Sequence, residues 1–287
     1  MNAPAPRTWS GPNRTGQTQV NMQPQIQRRL LTVTRIEDLA PRYRRMWFTG
    51  PALADGFPWI HLAVADHVKV VFPREPGAGI ELPTGPAGGL SREELAARPP
   101  MRDYTVRAWL PETQELALDF IMHDSGGVAA DWAASARPGS ELGVMGPRAN
   151  VIYPENYSLY VLAGDETAIP AIRRFTEELP AGVEARLVLS VANAAEKQDL
   201  DLPAGMEVTW VDRSTEGVEG LERAVRNLSL PAGDDWYVFA AGEVGELRPL
   251  REYFRQELGL PKERVHVSGY WRRGTVNLDH HNTGLED

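Results

Sequence analysis

The segment RDYTVR, residues 102–107, brings together a cation, an aromatic ring and a hydroxyl group. On a strand, side chains alternate between two faces, so Arg102 and Tyr104 share one face and Thr105 takes the other. An arginine beside an aromatic ring can bind a phosphate while the ring stacks on a flat heterocycle, and a nearby hydroxyl can donate to a ring nitrogen. The alternative is ordinary cross-strand pairing of an arginine and a tyrosine.

A second segment, HDSGGVAADWA at 123–133, follows a predicted strand and contains two adjacent glycines. Glycine lets the backbone approach a ligand closely, and the small residues that follow can begin a helix whose free N–H groups meet a pyrophosphate. The segment also fits a simple strand-to-helix turn, in which Asp124 or Ser125 caps the helix and Trp132 packs in the core.

Two further segments lie at the ends of predicted strands in the second half of the chain. Segment AGDETAIPA, 163–171, enters a helix at the place where open parallel sheets bind nucleotides, but it lacks a G-x-G-x-x-G fingerprint. The acidic pair 165–166 would repel a diphosphate that faced it, whereas Thr167 and helix N–H groups could receive one. Segment AAGE, 240–243, ends a later strand, where Glu243 either faces a nicotinamide or caps the next helix.

The segment GYWRRG, 269–274, combines two aromatic rings with two arginines near the end of the last predicted strand. Such a group suits stacking and anion recognition, although an aromatic anchor on a solvated C-terminus is the alternative. The arginines stand out because the 287-residue chain has a net charge of −9, from 30 Lys and Arg against 39 Asp and Glu. That balance argues against non-specific nucleic-acid binding, which needs a cationic surface.

The chain contains no cysteine, which excludes disulfides, thiolate-held iron–sulfur clusters and cysteine-based zinc sites. If the protein moves electrons, an organic cofactor must carry them. No stretch approaches the ~20 apolar residues of a membrane helix, so we predict no membrane association. The N-terminus lacks the apolar core of a secretory signal, and a cytoplasmic location is therefore the default expectation.

The pattern along the chain predicts two domains and a tail. Residues 28–153 form short alternating segments, which predict an antiparallel β-barrel. Residues 157–287 alternate strands with helices, which predicts a doubly wound parallel sheet with right-handed crossovers. Residues 1–27 are polar and rich in Pro, Gln and Asn, so we predict a disordered tail, with an organelle transit peptide as the alternative.

Taken in order, these five segments resemble the siderophore-interacting protein family, the FAD-binding ferric-siderophore reductases of the ferredoxin–NADP reductase superfamily. The resemblance runs from about residue 30 to residue 274. It rests on the sequence segments HVKVVFP, MRDYTVR, DFIMHDSGGVAADWA, RPGSELGVMGPR, LAGDETAIPAI, AAGE and SGYWRRG. It implies a flavin-binding barrel followed by an NAD(P)H-binding α/β domain.

The resemblance also implies a role for each matching residue. Arg102 would hold the FAD pyrophosphate, Tyr104 would pack on the isoalloxazine, and Thr105 would hydrogen-bond near its reactive nitrogen. The other cofactor-binding residues that it implies are Val106, His123, Asp124, Gly126, Gly127, Val128, Ala129, Ala130, Trp132, Asp165, Thr167, Ala168, Gly242, Glu243 and Trp271. The cations that it implies around the mouth of the flavin pocket, for an anionic ferric siderophore, are Lys69, Arg148, Arg272 and Arg273.

The implied activity is electron transfer from NAD(P)H through FAD to the iron(III) of a siderophore, with release of iron(II) for iron acquisition. We expect no catalytic acid–base pair and no resident metal. Segment NAAEKQ, 193–198, has no arginine pair for a 2′-phosphate and no lone acid for a ribose, so NADH, NADPH and ferredoxin all stay open as donors. Two other functions stay open: a flavodoxin or ferredoxin reductase with a protein partner, and a siderophore-binding flavoprotein with little NAD(P)H activity.

Overall fold

The structure is a computed structural model that describes residues 12–84, 93, 97–122, 127–275, 283 and 285. Over these ranges the chain divides into two compact units. The first unit contains residues 22–59 and 65–150, and the second contains residues 12–21, 60–64 and the chain from 151 onward. The return of residues 60–64 to the second unit makes both units discontinuous, which the sequence pattern did not indicate.

Six strands of the first unit close into an antiparallel barrel, which confirms the predicted architecture. In barrel order they are β2 (Arg28–Ala40), β3 (Tyr43–Thr49), β6 (Glu115–Ile121), β5 (Met101–Leu110), β4 (His67–Val71) and β7 (Glu141–Met145). Alternate side chains point inward to form one apolar core, in which Val70, Val106 and Val144 are fully buried. The period of two that marked these strands in the sequence reflects this inward and outward alternation.

Helix α1 (Val128–Ser135) packs against the barrel core through Trp132. The ring centroid of Trp132 lies 5.7–6.4 Å from three core rings, those of Phe48, Phe72 and Phe120. Tyr104 belongs to the same cluster, since its ring centroid lies 4.5 Å from that of Phe120. This aromatic contact fixes the beginning of α1 relative to β5, the strand that carries the RDYTVR segment.

A buried ion pair lies on the outer face of the barrel. Arg45 on β3 donates two hydrogen bonds to Asp119 on β6, both at 2.7 Å, and the Tyr43 hydroxyl donates to the same carboxylate at 3.1 Å. The side chains of Arg45 and Asp119 are 9% and 0% exposed. Each charge at this depth depends on the other, because an unpaired buried ion is costly.

The second unit contains a five-stranded parallel sheet, which is also confirmed. Its order is β11 (Met206–Asp212), β10 (Glu184–Val191), β9 (Leu159–Gly164), β12 (Trp236–Glu243) and β13 (Val265–Trp271). Strands β9 and β12 are buried along their whole length, as their continuous apolar sequences predicted. The strand order reverses between these two, so their carboxyl ends border the crevice where such sheets bind ligands.

Helices connect the strands of this sheet. They are α2 (Ile169–Glu178), α3 (Arg213–Glu216), α4 (Gly220–Arg226) and α5 (Val244–Glu252), which continues into a π-helical turn at Tyr253–Glu257. Short 3₁₀ turns occupy Pro51–Leu53, Glu166–Ala168, Ala194–Glu196 and Lys262–Arg264. Every helix in the described part of the chain is too short or too polar to span a bilayer.

Residues 12–27 are ordered by specific contacts, so the prediction of a disordered tail is wrong for them. Strand β1 (Gln19–Met22) pairs with β8 (Ala149–Ile152) in a separate two-stranded sheet. Asn13 is 1% exposed, and its amide donates to the carbonyl of Ile152 at 3.0 Å. The amide-rich composition that suggested disorder instead supplies donors for backbone carbonyls. Earlier residues of the predicted tail lie outside the described part of the chain.

We expect Asp119→Ala to lower the free energy of unfolding by about 3–5 kcal/mol, because it removes the carboxylate that both hydrogen-bonds and neutralises the buried Arg45 guanidinium. Urea unfolding followed by circular dichroism measures the change. The matched control is Glu184→Ala, which breaks an exposed pair with Arg186 and should cost less than about 1 kcal/mol. Equal costs for the two variants would contradict this account of the barrel surface.

Candidate functional site

Arg102 lies on β5 and is half-buried. Its Nη1 donates to the backbone carbonyl of Met101 at 2.7 Å, and it forms no ion pair with a carboxylate among the described residues. A guanidinium in this state has several donors left in a fixed planar arrangement. That arrangement suits bidentate recognition of a phosphate.

Tyr104 and Thr105 point to opposite faces of β5. Tyr104 packs against the inner core, and burial raises the pKa of its hydroxyl, so the ring stays neutral. Thr105 points outward, opposite His67 in the strand register, and is nearly buried. Its hydroxyl makes no hydrogen bond to any residue that the structure describes. The cation, the ring and the hydroxyl are therefore on one strand with the alternation that the sequence predicted.

The beginning of α1 lies in the same unit and is accessible. Gly127 precedes the helix with a φ of +140°, a backbone conformation that favours glycine, and it provides no side-chain cap. Val128 is exposed and Ala129 half-buried, so the first-turn N–H groups can meet a ligand. Among the described residues, the only side-chain hydrogen bond at the beginning of α1 runs from the Gly127 N–H to the Asp131 carboxylate, at 3.2 Å. The predicted residues His123, Asp124 and Gly126 lie outside the described residues.

Lys69 has a partner that the sequence did not reveal. Its Nζ lies 2.7 Å from both carboxylate oxygens of Asp103, its register partner on β5. The charge of Lys69 is therefore largely compensated, although its side chain remains 44% exposed. Arg148, unlike Lys69, keeps an uncompensated charge, because it is exposed and forms no ion pair within the ranges that the structure covers.

In the second unit, Asp165 lies at the carboxyl end of β9 and is 1% exposed. Its Oδ1 accepts hydrogen bonds from the Thr167 N–H at 2.8 Å and the Thr167 hydroxyl at 2.5 Å. Its Oδ2 accepts from the Glu243 N–H at 2.8 Å and the Trp271 indole N–H at 2.7 Å. Burial and the neighbouring Glu166 charge raise the pKa of Asp165, and the hydrogen bonds oppose that shift.

Glu166 is neutralised by Arg213, a residue that sequence reasoning missed. Arg213 Nη2 lies 2.5 and 2.7 Å from the two carboxylate oxygens of Glu166, and the Ala192 N–H donates to the same group at 2.6 Å. The repulsion of a diphosphate that the acidic pair implied is thereby largely removed. Arg213 and Glu166 are 47 residues apart, so no local spacing indicated the pair.

The sequence left two roles open for Glu243, facing a nicotinamide or capping the next helix, and in the structure it caps the helix. Its Oε2 accepts from the Glu246 N–H at 3.0 Å at the beginning of α5, and its Oε1 accepts from the Arg273 N–H at 3.0 Å. The carboxylate of Glu246 is buried without a hydrogen-bond partner among the described residues, and Arg273 Nη2 lies 3.5 Å from it. Burial raises the pKa of Glu246 to about 7.

The remaining predicted residues have distinct places. Ala168 is fully buried at the end of the turn before α2, and Val106 belongs to the barrel core. Arg272 donates from Nη2 to the carbonyl of Thr283 at 2.8 Å, whereas the Arg273 side chain is 62% exposed. The carboxyl ends of β9, β12 and β13 thus bring together one group of predicted residues, namely Asp165, Thr167, Gly242, Glu243 and Trp271.

The raised pKa of Glu246 predicts how stability depends on pH. The folded state binds this proton up to about pH 7, whereas an ordinary glutamate releases it near 4.5. The folded protein therefore holds more protons than the unfolded chain in that window, and its free energy of unfolding falls as pH rises through it. At about 1.4 kcal/mol per pKa unit, this one group contributes at most about 3 kcal/mol, and solvent screening lowers that figure.

We expect the free energy of unfolding of Glu246→Gln to fall less as pH rises. This variant should therefore be more stable than the wild type above neutral pH. Urea unfolding over a pH series measures it. The control is Glu252→Gln, because Glu252 is exposed on the same helix. Parallel pH profiles for the wild type and Glu246→Gln would show that Glu246 titrates normally.

Comparisons with known proteins support a single family. The siderophore-interacting FAD-binding domain model matches residues 32–151, and the siderophore-interacting protein model matches residues 157–274. A relative named NADPH-dependent ferric-chelate reductase, from Escherichia coli (strain K12), is 34% identical over 85% of this chain and 92% of its own length. A relative from Vibrio cholerae named ferric vibriobactin reductase is 29% identical over 88% of this chain and 92% of its own length.

Solved structures agree with these matches. A siderophore utilization protein from T. fusca has a TM-score of 0.82 and 39% identity, over 92% of this chain and 99% of that protein. The siderophore-interacting protein SipS from Aeromonas hydrophila has a TM-score of 0.72 and 33% identity, over 88% of this chain and 95% of that protein. The chain is therefore a member of the siderophore-interacting protein family, with an FAD-binding barrel as its first unit.

Proposed function

We propose that this protein is an FAD-dependent oxidoreductase that takes electrons from NAD(P)H and reduces the iron(III) of a siderophore, releasing iron(II). The names of the two bacterial relatives, ferric vibriobactin reductase and NADPH-dependent ferric-chelate reductase, support this activity. The observation that carries the proposal is Arg102, a half-buried guanidinium without a carboxylate partner among the described residues, beside Tyr104 in the part of the chain that matches an FAD-binding domain.

The residues of the first unit fit FAD. Arg102 supplies a planar cation for the two phosphates, and the beginning of α1 supplies backbone N–H groups that no side chain of the described residues caps. Tyr104 packs against the barrel core but is not fully buried, and its accessible part would meet the isoalloxazine. Thr105 supplies a hydroxyl with no hydrogen bond to the described residues. When bound, FAD supplies the conversion of a two-electron donor into the single electrons that iron(III) accepts.

The second unit supplies a nucleotide site at the carboxyl end of its sheet. Thr167 lies at this end of the sheet, where its N–H and hydroxyl already donate to Asp165, so a diphosphate would have to compete with that carboxylate for them. The acids beside them are satisfied internally by Arg213 and by backbone donors, so a dianionic group is tolerated. Gly242 and Glu243 lie at the carboxyl end of β12, where a nicotinamide would bind.

Exposed arginines supply the attraction for an anionic iron chelate. Arg148 in the first unit and Arg273 in the second are largely exposed, and Arg272 retains donors beyond its bond to Thr283. Lys69 contributes less than the sequence suggested, because a chelate must compete with Asp103 for its ammonium group. We assign no catalytic acid or base, since the reaction transfers electrons. A cytoplasmic location, where reduced nicotinamide nucleotides are held, fits this reaction.

Arg102→Ala should weaken FAD binding by about 10- to 100-fold, because a charged hydrogen bond to phosphate contributes about 1.5–3 kcal/mol. The FAD affinity of Arg102→Lys should lie between those of the wild type and Arg102→Ala, since an ammonium group keeps the charge but loses the planar pair of donors. Titration calorimetry of the apoprotein with FAD measures both. Arg35→Ala is the control, because Arg35 is an exposed barrel arginine paired with Glu37. Unchanged FAD affinity in Arg102→Ala would contradict the assignment.

Anaerobic spectroscopy of the FAD-loaded protein tests the function. We expect NADPH or NADH to bleach the flavin, and ferric triscatecholate, hydroxamate or citrate to restore its colour while a ferrous-specific dye traps one iron(II) per electron. Bleaching by reduced ferredoxin alone would keep the reductase activity and assign the donor to a protein. A reduced flavin that no ferric chelate reoxidises would contradict the proposed function and favour a binding role.

A further inference from the structure

The carboxylate of Asp165 connects two segments to which the proposed function gives different ligands. Oδ1 holds the turn at Thr167, which enters α2 on the nucleotide side. Oδ2 holds the indole N–H of Trp271 and the N–H of Glu243. The turn requires only one of these oxygens as its cap, so capping does not explain the two bonds to Oδ2.

The connection continues from Glu243 to the arginine segment. Glu243 donates its N–H to Asp165, and its own Oε1 accepts the N–H of Arg273 at 3.0 Å. Trp271 and Arg273 are thus each fixed by one hydrogen bond within a single network. Between them lies Arg272, so the network holds both ends of the WRR segment; the Arg272 guanidinium is itself bonded to the Thr283 carbonyl, and the Arg273 side chain is 62% exposed.

Glycine makes the approach of these groups possible. A Cβ atom at Gly242 would lie 2.7 Å from the Asp165 carboxylate, and one at Gly164 would lie 2.2 Å from the carbonyl of Ala241. Gly242 also has a φ of +139°, a backbone conformation that residues with a side chain rarely adopt. The backbone is therefore shaped to admit the carboxylate between β9 and β12.

We propose that Asp165 is a positioning residue that orients Trp271, and through Glu243 the backbone of Arg273, for the anionic ferric chelate. This assignment rests on the proposed function. It explains why the position holds an aspartate rather than an asparagine. Four donors converge on Asp165, and a carboxylate only accepts, whereas the NH₂ group of an amide would face two of those donors.

Three variants separate the two sides of this carboxylate. Asp165→Asn replaces one of the two carboxylate oxygens, each of which accepts from two donors, with an NH₂ group. Trp271→Phe keeps an aromatic ring but removes the indole N–H. Thr167→Val is the matched control, because it removes the hydroxyl bond to Oδ1 and leaves the bond from Trp271 to Oδ2 in place.

The first readout is the indole N–H resonance of Trp271 in ¹⁵N-labelled protein, identified by its loss in Trp271→Phe. We expect this resonance to shift and its proton to exchange faster with solvent in Asp165→Asn, but to stay in place in Thr167→Val. The second readout is steady-state reduction of iron(III) triscatecholate. Asp165→Asn and Trp271→Phe should each raise the KM for this chelate about fivefold, as the loss of one orienting hydrogen bond implies. The KM for the nicotinamide donor should rise less in Trp271→Phe.

The outcomes distinguish this assignment from the proposed function. A wild-type protein that turns over no ferric chelate overturns the function and the assignment together. Normal wild-type turnover with an unmoved Trp271 resonance in Asp165→Asn, or with an unchanged chelate KM in that variant, overturns the assignment alone. If Asp165→Asn does not fold, Trp271→Phe decides the matter: equal fold-changes in the two KM values reject a role in orienting the chelate.

Discussion

An acidic protein that binds anions must neutralise its own carboxylates wherever those anions approach. This chain has a net charge of −9, yet FAD, nicotinamide nucleotides and many ferric chelates carry negative charge. At the carboxyl end of the parallel sheet, Arg213 pairs with Glu166, and N–H and hydroxyl donors surround Asp165. Exposed arginines such as Arg273 then set the local field, because charges act mainly within a screening length of about 10 Å.

The fold was predictable because burial leaves different periods in the two halves of the chain. Strands with one buried face alternate between buried and exposed residues, as in the first half of β2, whereas β9 and β12 are buried on both faces and are continuously apolar. The location of the candidate site residues followed from the same pattern, since the carboxyl ends of parallel strands meet at one edge. The sequence predicted that the segments of Asp165 and Trp271 lie at strand ends, but it did not indicate the hydrogen bond between the two side chains.

The partners of those residues were not predictable, because they depend on strand register and on contacts between distant segments. Lys69 meets Asp103 only because β4 and β5 pair in one particular register. Arg213, which follows β11, reaches Glu166, which follows β9, across the end of β10, and Glu246 is buried where α5 packs. The order of residues 12–27 has the same cause, since Asn13 is held by the distant Ile152. Composition describes a segment alone and carries no information about what it contacts.

The most direct test of this account is the salt dependence of one rate constant. Protein carrying reduced FAD is mixed anaerobically with an anionic iron(III) triscatecholate in a stopped-flow instrument, and the second-order rate constant of flavin reoxidation is followed as salt is added. We predict that the rate constant falls, because screening weakens the attraction between the chelate and exposed arginines. A rate constant that rises with salt would mean that the net charge of the protein repels the chelate, and it would contradict the account.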